Sequence, residues 1–215
     1  LVGLPEWRTA RYIASIEHMR VEASDAEYLA GNILPEQLPE DVLDIVRRAG
    51  YADVRATFGG RFDAFRVVGN VGTACGNFSG DITMRKSSEA RYDIHGTAKT
   101  RSLNLGNLLN VNNLHALSSD LAMSGSVGSR ASGGVIGDVN VTIDGLGFGS
   151  YDYSGIQGVG HVEGDNYYAE VTSTDENLEF DLFADISLGE EDPSYALSMD
   201  MHRADLHALG INKRD

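Results

Sequence analysis

The feature that most constrains this fold is an alternation of apolar and polar residues that begins after Tyr51. Leu178-Glu179-Phe180-Asp181-Leu182 and Leu197-Ser198-Met199-Asp200-Met201 are clean examples. Because successive side chains of a strand point to opposite faces, a period of two predicts half-buried β-strands. The pattern predicts ten strands, over residues 52–59, 62–71, 75–86, 89–101, 114–127, 135–148, 151–163, 166–174, 177–188 and 194–203.

The segments between these strands are short, which predicts how neighbouring strands are joined. A short connection makes an antiparallel hairpin, whereas a parallel crossover needs about a dozen residues that are usually helical. The one longer candidate, Leu103 to Val111, is rich in leucine and asparagine and could hold a single helical turn. We therefore expect a mainly β fold, an antiparallel meander of about ten strands with one apolar face.

Glycine supports this interpretation, since 25 of 215 residues exceed the usual frequency of about 7%. The alternation that ends at Ile143 resumes at Leu146 one residue out of phase, so we predict a β-bulge at Gly145. The sequence has no intact G-x-G-x-x-G nucleotide-binding pattern. We therefore also interpret the other glycines of the near matches as bulge or turn residues: Gly147, Gly158 and Gly160.

Residues 1–51 have a different pattern, and we predict a boundary between them and the β segment 52–215. A strand is possible over 12–23, followed by a capping box at Ser24-Asp25-Ala26-Glu27 and a short helix from Asp25 to about Ile33. A second helix should begin with Pro39 at its first position and end before Gly50.

Charge and composition exclude several functions. The formal net charge of −15 argues against nucleic-acid binding and against electrostatic docking on an anionic membrane. No apolar stretch approaches the roughly 18 residues that a membrane-spanning helix needs. The chain begins at Leu1 rather than methionine, so we expect a piece of a longer protein, with any anchor outside it.

We find no motif that predicts catalysis, a metal site or a cofactor. The six histidines are scattered without zinc-site spacing, and we expect His161 to be a structural residue on a strand that could bury it. Asp181 and Asp185 alternate with apolar residues and should face solvent. The acids of the turns, Asp175 and Glu176 among them, lack EF-hand spacing. Cys75, the one cysteine, should be a small buried residue.

From Leu38 to its end the chain resembles TamB-type translocation and assembly module proteins of the AsmA-like superfamily, most closely the version found in Bacteroidetes. The motifs occur in the family's order and cover about four fifths of the chain. They are Leu38-Pro39-Glu40 through Gly50, Ala56-Thr57-Phe58-Gly59-Gly60-Arg61-Phe62-Asp63-Ala64-Phe65, Val71-Gly72-Thr73-Ala74-Cys75-Gly76, Leu105-Gly106-Asn107-Leu108-Leu109, Asp175-Glu176-Asn177-Leu178-Glu179-Phe180-Asp181-Leu182 and Arg203-Ala204-Asp205-Leu206-His207-Ala208-Leu209. Glu176 stands where the family usually has proline.

This resemblance implies a fragment of a large periplasmic, non-enzymatic protein whose parent is anchored in the inner membrane. Such proteins are built of antiparallel strands bent into a long open groove with an apolar lining. They are regarded as bridges that carry phospholipid between the inner and outer membranes. The family is also linked to the assembly and secretion of outer-membrane proteins with a barrel partner. The implied ligands are therefore phospholipid acyl chains, with no cofactor.

The apolar phase of the strands supplies sixteen candidate groove-lining residues, because alternate residues share a face. Alternation alone leaves two architectures open, a sheet bent into an open, taco-like groove and a closed sandwich. It also leaves open a β-sandwich domain that binds carbohydrate or protein, for which Tyr151, Tyr153, Tyr167 and Tyr168 would be the aromatic platform. The sixteen candidates are Phe58, Phe65, Val67, Phe78, Ile82, Met84, Leu121, Met123, Val141, Ile143, Phe180, Leu182, Ile186, Leu197, Met199 and Met201.

Overall fold

The fold is one open antiparallel β-sheet, seen in a computed structural model that describes residues 10–25, 28, 40–61, 63–128, 134–189 and 193–211. Strands follow one another across the sheet in chain order, except that the short β8 pairs beside β9 on the same neighbour, β7. The twelve strands are β1 (Tyr12–Glu22), β2 (Tyr51–Arg61), β3 (Ala64–Thr73), β4 (Gly76–Ser88), β5 (Arg91–Asn104), β6 (Leu114–Gly128), β7 (Val135–Phe148), β8 (Tyr151–Tyr153), β9 (Ile156–Glu163), β10 (Asn166–Thr174), β11 (Leu178–Ser187) and β12 (Ser194–Ala204).

This arrangement confirms the predicted antiparallel meander and shows that the sheet is open rather than folded into a closed sandwich. All twelve strands belong to a single sheet, and its two outer strands, β1 and β12, do not pair with each other. Across the described residues there is no second sheet to form a sandwich. β1, which lies in the predicted N-terminal segment, pairs with β2 from Tyr12–Gly60 to Glu22–Tyr51 and so extends the same sheet.

Two short helices lie at the same end of the sheet, which we call the helical end. Helix α1 (Glu40–Ala49) precedes β2 and stops where Gly50 takes a φ of +74° and donates its N–H to the carbonyl of Arg47. Helix α2 (Leu105–Leu109) is the single turn predicted between β5 and β6, and the side chain of Asn104 caps its N-terminus. Pro39 and most of the predicted helix 25–33 lie outside the described residues.

The predicted capping box is wrong in its position. Residues 23–25 are already helical, so this helix begins before Ser24 rather than after it. Ala23 donates its backbone N–H to the Gly50 carbonyl at 3.0 Å, which holds the exit of β1 beside the entry of β2. Ala26 and Glu27 lie outside the described residues.

The predicted bulge at Gly145 is present, and beside it the predicted strand 151–163 is interrupted. Ser118 pairs with Gly145 and Ser119 with Ile143, so one extra residue of β7 is accommodated there. The predicted strand 151–163 is two strands, β8 and β9, both of which pair with β7 on either side of the bulge. Gly155, with a φ of +62°, makes the break between them.

The sheet has almost no buried core. Within the part of the chain that the structure describes, Cys75 and Leu209 are the only buried hydrophobic residues, and both lie at the helical end. The accessible surface of 14369 Å² compares with roughly 9,700 Å² for a compact chain of this mass. Apolar side chains that a closed fold would bury therefore remain partly in contact with solvent.

Candidate functional site

The strand register brings all sixteen predicted residues to one face of the sheet, which we call the apolar face. Directly paired residues share a face, so the pairing can be followed from strand to strand. One row runs from Phe58 through Val67 and Ile82 to Gly96, and then through Met123, Val139, Gly160, Ala169 and Ala184 to Leu197.

Three further rows contain the remaining candidates. The first of them lies beside the Phe58 row, toward the end of the sheet that is opposite the helices, and holds Phe65, Met84 and Ile186. On the side of the Phe58 row that faces the helical end, one row holds Leu121, Val141, Leu182 and Met199. The row after it, still closer to the helical end, holds Phe78, Ile143, Phe180 and Met201. The structure thus places these side chains together, while their role as a lipid lining stays a prediction.

The apolar face is nearly free of charge. Along the described strands, the one charged residue at a position of this face is Lys86, which pairs with Tyr92 beside the β4–β5 turn. The few polar side chains satisfy their own hydrogen bonds: the hydroxyls of Thr100 and Ser119 are 3.0 Å apart, and Ser173 donates to the Leu178 carbonyl at 2.7 Å. A ligand on this face would therefore meet hydrocarbon rather than polar groups.

Exposure of this face increases toward β12. Phe78, on an inner strand, is 38% exposed, whereas Leu197 on the outer strand is 69% exposed and Met199 is 51% exposed. No protein layer covers these side chains among the residues that the structure describes. Among the described residues, the apolar face is therefore an uncovered surface and not the interior of a domain.

Two glycines of this face correct the sequence interpretation. Gly158 and Gly160 lie in the middle of β9, neither in a turn nor at a bulge. A Cβ atom at either position would lie 2.9 Å from a methyl group of Val141 or Val139 on the neighbouring strand. These glycines therefore make room for cross-strand valines, and Gly147 in β7 similarly makes room for the Cβ of His115, 2.7 Å away.

The opposite face, which we call the polar face, carries a ladder of ion pairs. Lys99 and Arg101 both hold Asp120 at 2.6 Å, and their hydrogen bonds keep the pKa of Asp120 below its ordinary value. Arg66 does the same for the pKa of Asp81 through a hydrogen bond of 2.7 Å. Such exposed pairs contribute little to stability individually, but they show that charge is segregated from the apolar face.

Asp181 and Asp185, which were considered for acid–base chemistry, lie on the polar face, and Asp185 is exposed, as predicted. Asp181 is exposed, as predicted, and accepts a hydrogen bond of 2.9 Å from His202, which raises the pKa of that histidine. The expectation that the strand could bury His161 is wrong. Position 161 faces the polar side, so the ring is exposed and lies 2.8 Å from the Asp138 carboxylate.

A buried carboxylate at the helical end was missed at the level of sequence. Asp175 is only 2% exposed. It accepts hydrogen bonds from the Tyr151 hydroxyl at 2.7 Å, from the N–H and hydroxyl of Ser154 at 2.9 and 3.0 Å, and from the Asn177 N–H at 2.9 Å. Burial acts to raise the pKa of Asp175, but these hydrogen bonds outweigh it and hold that pKa below its ordinary value.

We interpret the Asp175 cluster as structural, since its donors come from β8, from the β8–β9 break and from Asn177 in the turn before β11. The spacing Asp-x-Asn at 175–177 is the sequence signal for it, because an aspartate often accepts from the backbone N–H two residues later. Tyr151 also packs edge-to-face on Tyr153, with ring centroids 4.8 Å apart.

The four tyrosines considered as a carbohydrate platform do not converge. Tyr151 and Tyr153 lie at the helical end, while Tyr167 lies on the apolar face near the β9–β10 turn. Tyr168 points to the other face and packs against Phe183 at 5.2 Å. The arrangement is that of separate cross-strand contacts.

Cys75 is buried, as predicted, and joins both helices to the sheet. Its thiol donates to the Arg48 carbonyl of α1 at 3.3 Å and accepts from the Asn107 side chain of α2 at 3.2 Å. Its own carbonyl accepts from the Asn104 N–H at 2.6 Å. The thiol of Cys75 therefore packs the two helices against the sheet at the helical end.

Shallow depressions lie on the polar face of the described sheet. Two depressions, of about 390 and 380 Å³, adjoin each other and share Arg55, Asn70, Ser79 and Lys99. Both are shallow and open to solvent. In the described ranges, no three histidine, cysteine or acidic side chains are grouped closely enough to hold a metal ion.

No protein-family model, curated protein or solved structure matches this chain. Among the described helices, none is long and apolar enough to cross a membrane.

Proposed function

We propose that the apolar face binds the acyl chains of phospholipids and that the chain is a non-enzymatic segment of a periplasmic lipid conduit between the inner and outer membranes. The single observation that carries the proposal is the nearly uncharged, uncovered face that crosses the whole sheet. The resemblance to TamB-type proteins supports it, with a parent anchored in the inner membrane. A barrel partner in outer-membrane protein assembly and secretion belongs to the same proposal.

The size of the apolar face argues that it has an occupant. Eleven strands lie on the main path across the sheet, which at about 4.8 Å per strand makes the face roughly 48 Å wide. The four rows of candidates add about 20 Å along the strands. The product, about 1,000 Å², exceeds the 300–600 Å² or so of the largest apolar patch on an ordinary monomer.

Acyl chains match this face better than a ligand that needs specific recognition. A chain of about sixteen carbons gains at most about 0.8 kcal/mol per methylene when it is fully buried. An open face covers about half of each methylene, so about 6 kcal/mol is available, which corresponds to a dissociation constant in the tens of micromolar. Binding of that strength needs no polar anchor and allows the lipid to leave.

The lateral continuity of the face suits movement as well as binding. Between β2 and β12 no charged residue interrupts the four rows of candidates. Met199 and Met201 lie on the outer strand, and flexible, polarizable thioethers adapt to tails of different shape. In this proposal the buried acid and thiol of the helical end hold the sheet together and do no chemistry.

Incubation of the chain with phospholipid vesicles, rapid separation from the vesicles, organic extraction and mass spectrometry test the proposal, because lipid bound in the tens of micromolar would leave during a long purification. We expect phospholipid to be released from the native chain and to be absent after denaturation and washing. A parallel glycan array serves as the other arm, because a carbohydrate-binding domain would give a glycan signal with no extracted lipid. That second result would refute the proposal.

A further inference from the structure

The apolar face is bordered by tyrosines along the hairpin turns that lie opposite the helical end. We call this border the tyrosine rim. Three of its tyrosines continue the row of Phe65, and the fourth lies one row farther out, directly paired with a lysine. Along the described strands, the other three rows of candidates contain no tyrosine. The residues of the rim are Tyr12, Lys86, Tyr92, Tyr167 and Tyr195.

The phenol groups of the tyrosine rim suit a boundary between hydrocarbon and polar groups. A tyrosine ring has an apolar body, and its hydroxyl needs a polar partner. Tyr92, Tyr167 and Tyr195 are exposed, and among the described residues their hydroxyls make no hydrogen bond. Tyrosines are enriched in this way where membrane proteins meet the headgroup level of a bilayer. The rim therefore has the chemistry of a lipid headgroup boundary.

Lys86 adds a cation to this boundary. It pairs with Tyr92 across the β4–β5 hairpin, and its side chain is exposed. In the part of the chain that the structure describes, its ammonium has neither a hydrogen bond nor an ion pair. Lys99, on the polar face, is held by Asp120 at 2.6 Å. The charge of Lys86 is therefore available to an anionic ligand on the apolar face.

The helical end differs from the tyrosine rim, because donors there bind other groups of the chain. Tyr151 donates its hydroxyl to Asp175 at 2.7 Å, and Arg48 donates to the Leu108 carbonyl at 3.1 Å. A ligand would have to displace these bonds in order to use the same donors. The two ends of the apolar face are therefore chemically unequal.

We infer that a phospholipid lies on the apolar face with its phosphate at Lys86 and its acyl chains directed along the strands toward the helical end, an orientation that rests on the proposed function. The Lys86 ammonium donates charge-assisted hydrogen bonds to the phosphate, and the Tyr92 hydroxyl beside it is a further donor.

The length of the strands agrees with this orientation. The hydrocarbon of one bilayer leaflet is about 15 Å thick, which is half of a core of about 30 Å. From Met84, beside the rim, to Phe78 the strand β4 rises about 20 Å. Acyl chains that begin at the rim therefore end near the Phe78 row, before the helical end.

Photoreactive phosphatidylcholines test the orientation. One carries a diazirine near the carboxyl end of an acyl chain and the other near the methyl end. Each is offered in vesicles, and the chain is irradiated after rapid separation and mapped by peptide mass spectrometry. We expect the carboxyl-end label to modify Met84 and Ile94, and the methyl-end label to modify Phe78 and Val71. Equal or reversed distributions would overturn the orientation and leave acyl binding intact. Adducts with neither lipid would refute acyl binding itself.

The role of Lys86 is tested by a competition between lipids with the same acyl chains. Phosphatidylcholine vesicles that contain diacylglycerol are incubated with the chain, and the ratio of the two bound lipids is measured. We expect Lys86→Met to reduce the preference for the phospholipid about two- to fivefold, as for an exposed ion pair, while diacylglycerol still binds. The matched control Lys99→Met, on the polar face, should keep the native ratio. A native ratio in Lys86→Met, or an equal change in both variants, would overturn the role of Lys86.

Discussion

An aspartate in place of Leu182 distinguishes an uncovered apolar face from a closed core. Leu182 is half-buried and lies between Val171 and Met199 on the apolar face. Burying a leucine fully is worth about 1.5–3 kcal/mol, so a half-buried one loses about 1 kcal/mol. A further cost of about 1 kcal/mol covers the carboxylate, which still reaches water. The total of about 2 kcal/mol should lower Tm by about 4–8 °C.

The assay for Leu182→Asp has two readouts, thermal unfolding followed by circular dichroism and phospholipid bound after incubation with phosphatidylethanolamine vesicles. We expect a cooperative transition at reduced Tm together with a large loss of bound lipid. Ala122→Asp places the same charge on the polar face of β6, opposite Thr97 and Asn140, and should leave lipid binding unchanged. Loss of the folded state in Leu182→Asp would refute the uncovered face. Equal lipid binding by both variants would refute acyl binding there.

Three further predictions concern individual side chains. Asp175→Ala leaves the donors around it without an acceptor and should cost about 3 kcal/mol in chemical unfolding. Because the folded pKa of Asp175 is lowered, its contribution to stability is complete at neutral pH and fades as pH falls below about 4. If the free energy of unfolding fell equally with pH in the native chain and in Asp175→Ala, this prediction would be contradicted. Cys75, 3% exposed, should react with a chromogenic disulfide reagent only after unfolding, and fast labelling of the native chain would count against its packing role. Asp181 raises the pKa of His202, so protonated His202 stabilises the fold at low pH, and this contribution is lost as pH rises through the folded pKa. A pKa of His202 below its ordinary value, measured by NMR titration of the folded chain, would contradict this prediction.

Much of the sheet could be predicted from local sequence, because strand periodicity and connector length are local properties. The ten predicted strands correspond to β2–β12, and the phase change after Ile143 located the bulge at Gly145 correctly. The choice between an open sheet and a sandwich could not be predicted. Both place Leu182 and Val141 on an apolar face, and the difference depends on what lies opposite that face.

The errors came from contacts between residues distant in sequence. At the break between β8 and β9, which Gly155 makes, Asp175 accepts hydrogen bonds from Ser154, 21 residues away. The prediction that Gly158 and Gly160 are bulge or turn residues is wrong, because valines of β7 need the space beside them and no local pattern reveals that contact. His161 lies on a strand that could bury it, but the strand register places its side chain on the polar face, where it is exposed.

Photocrosslinking along β7 tests the central claim most directly. Benzoylphenylalanine would be placed in turn at Val139, Asn140, Val141, Thr142 and Ile143 while the chain is exposed to phospholipid vesicles. The side chains at 139, 141 and 143 lie on the apolar face, and those at 140 and 142 lie on the polar face. If the apolar face binds acyl chains, lipid adducts should appear with a period of two, at 139, 141 and 143 alone. Adducts of equal yield at all five positions, or none at the three apolar ones, would contradict the claim.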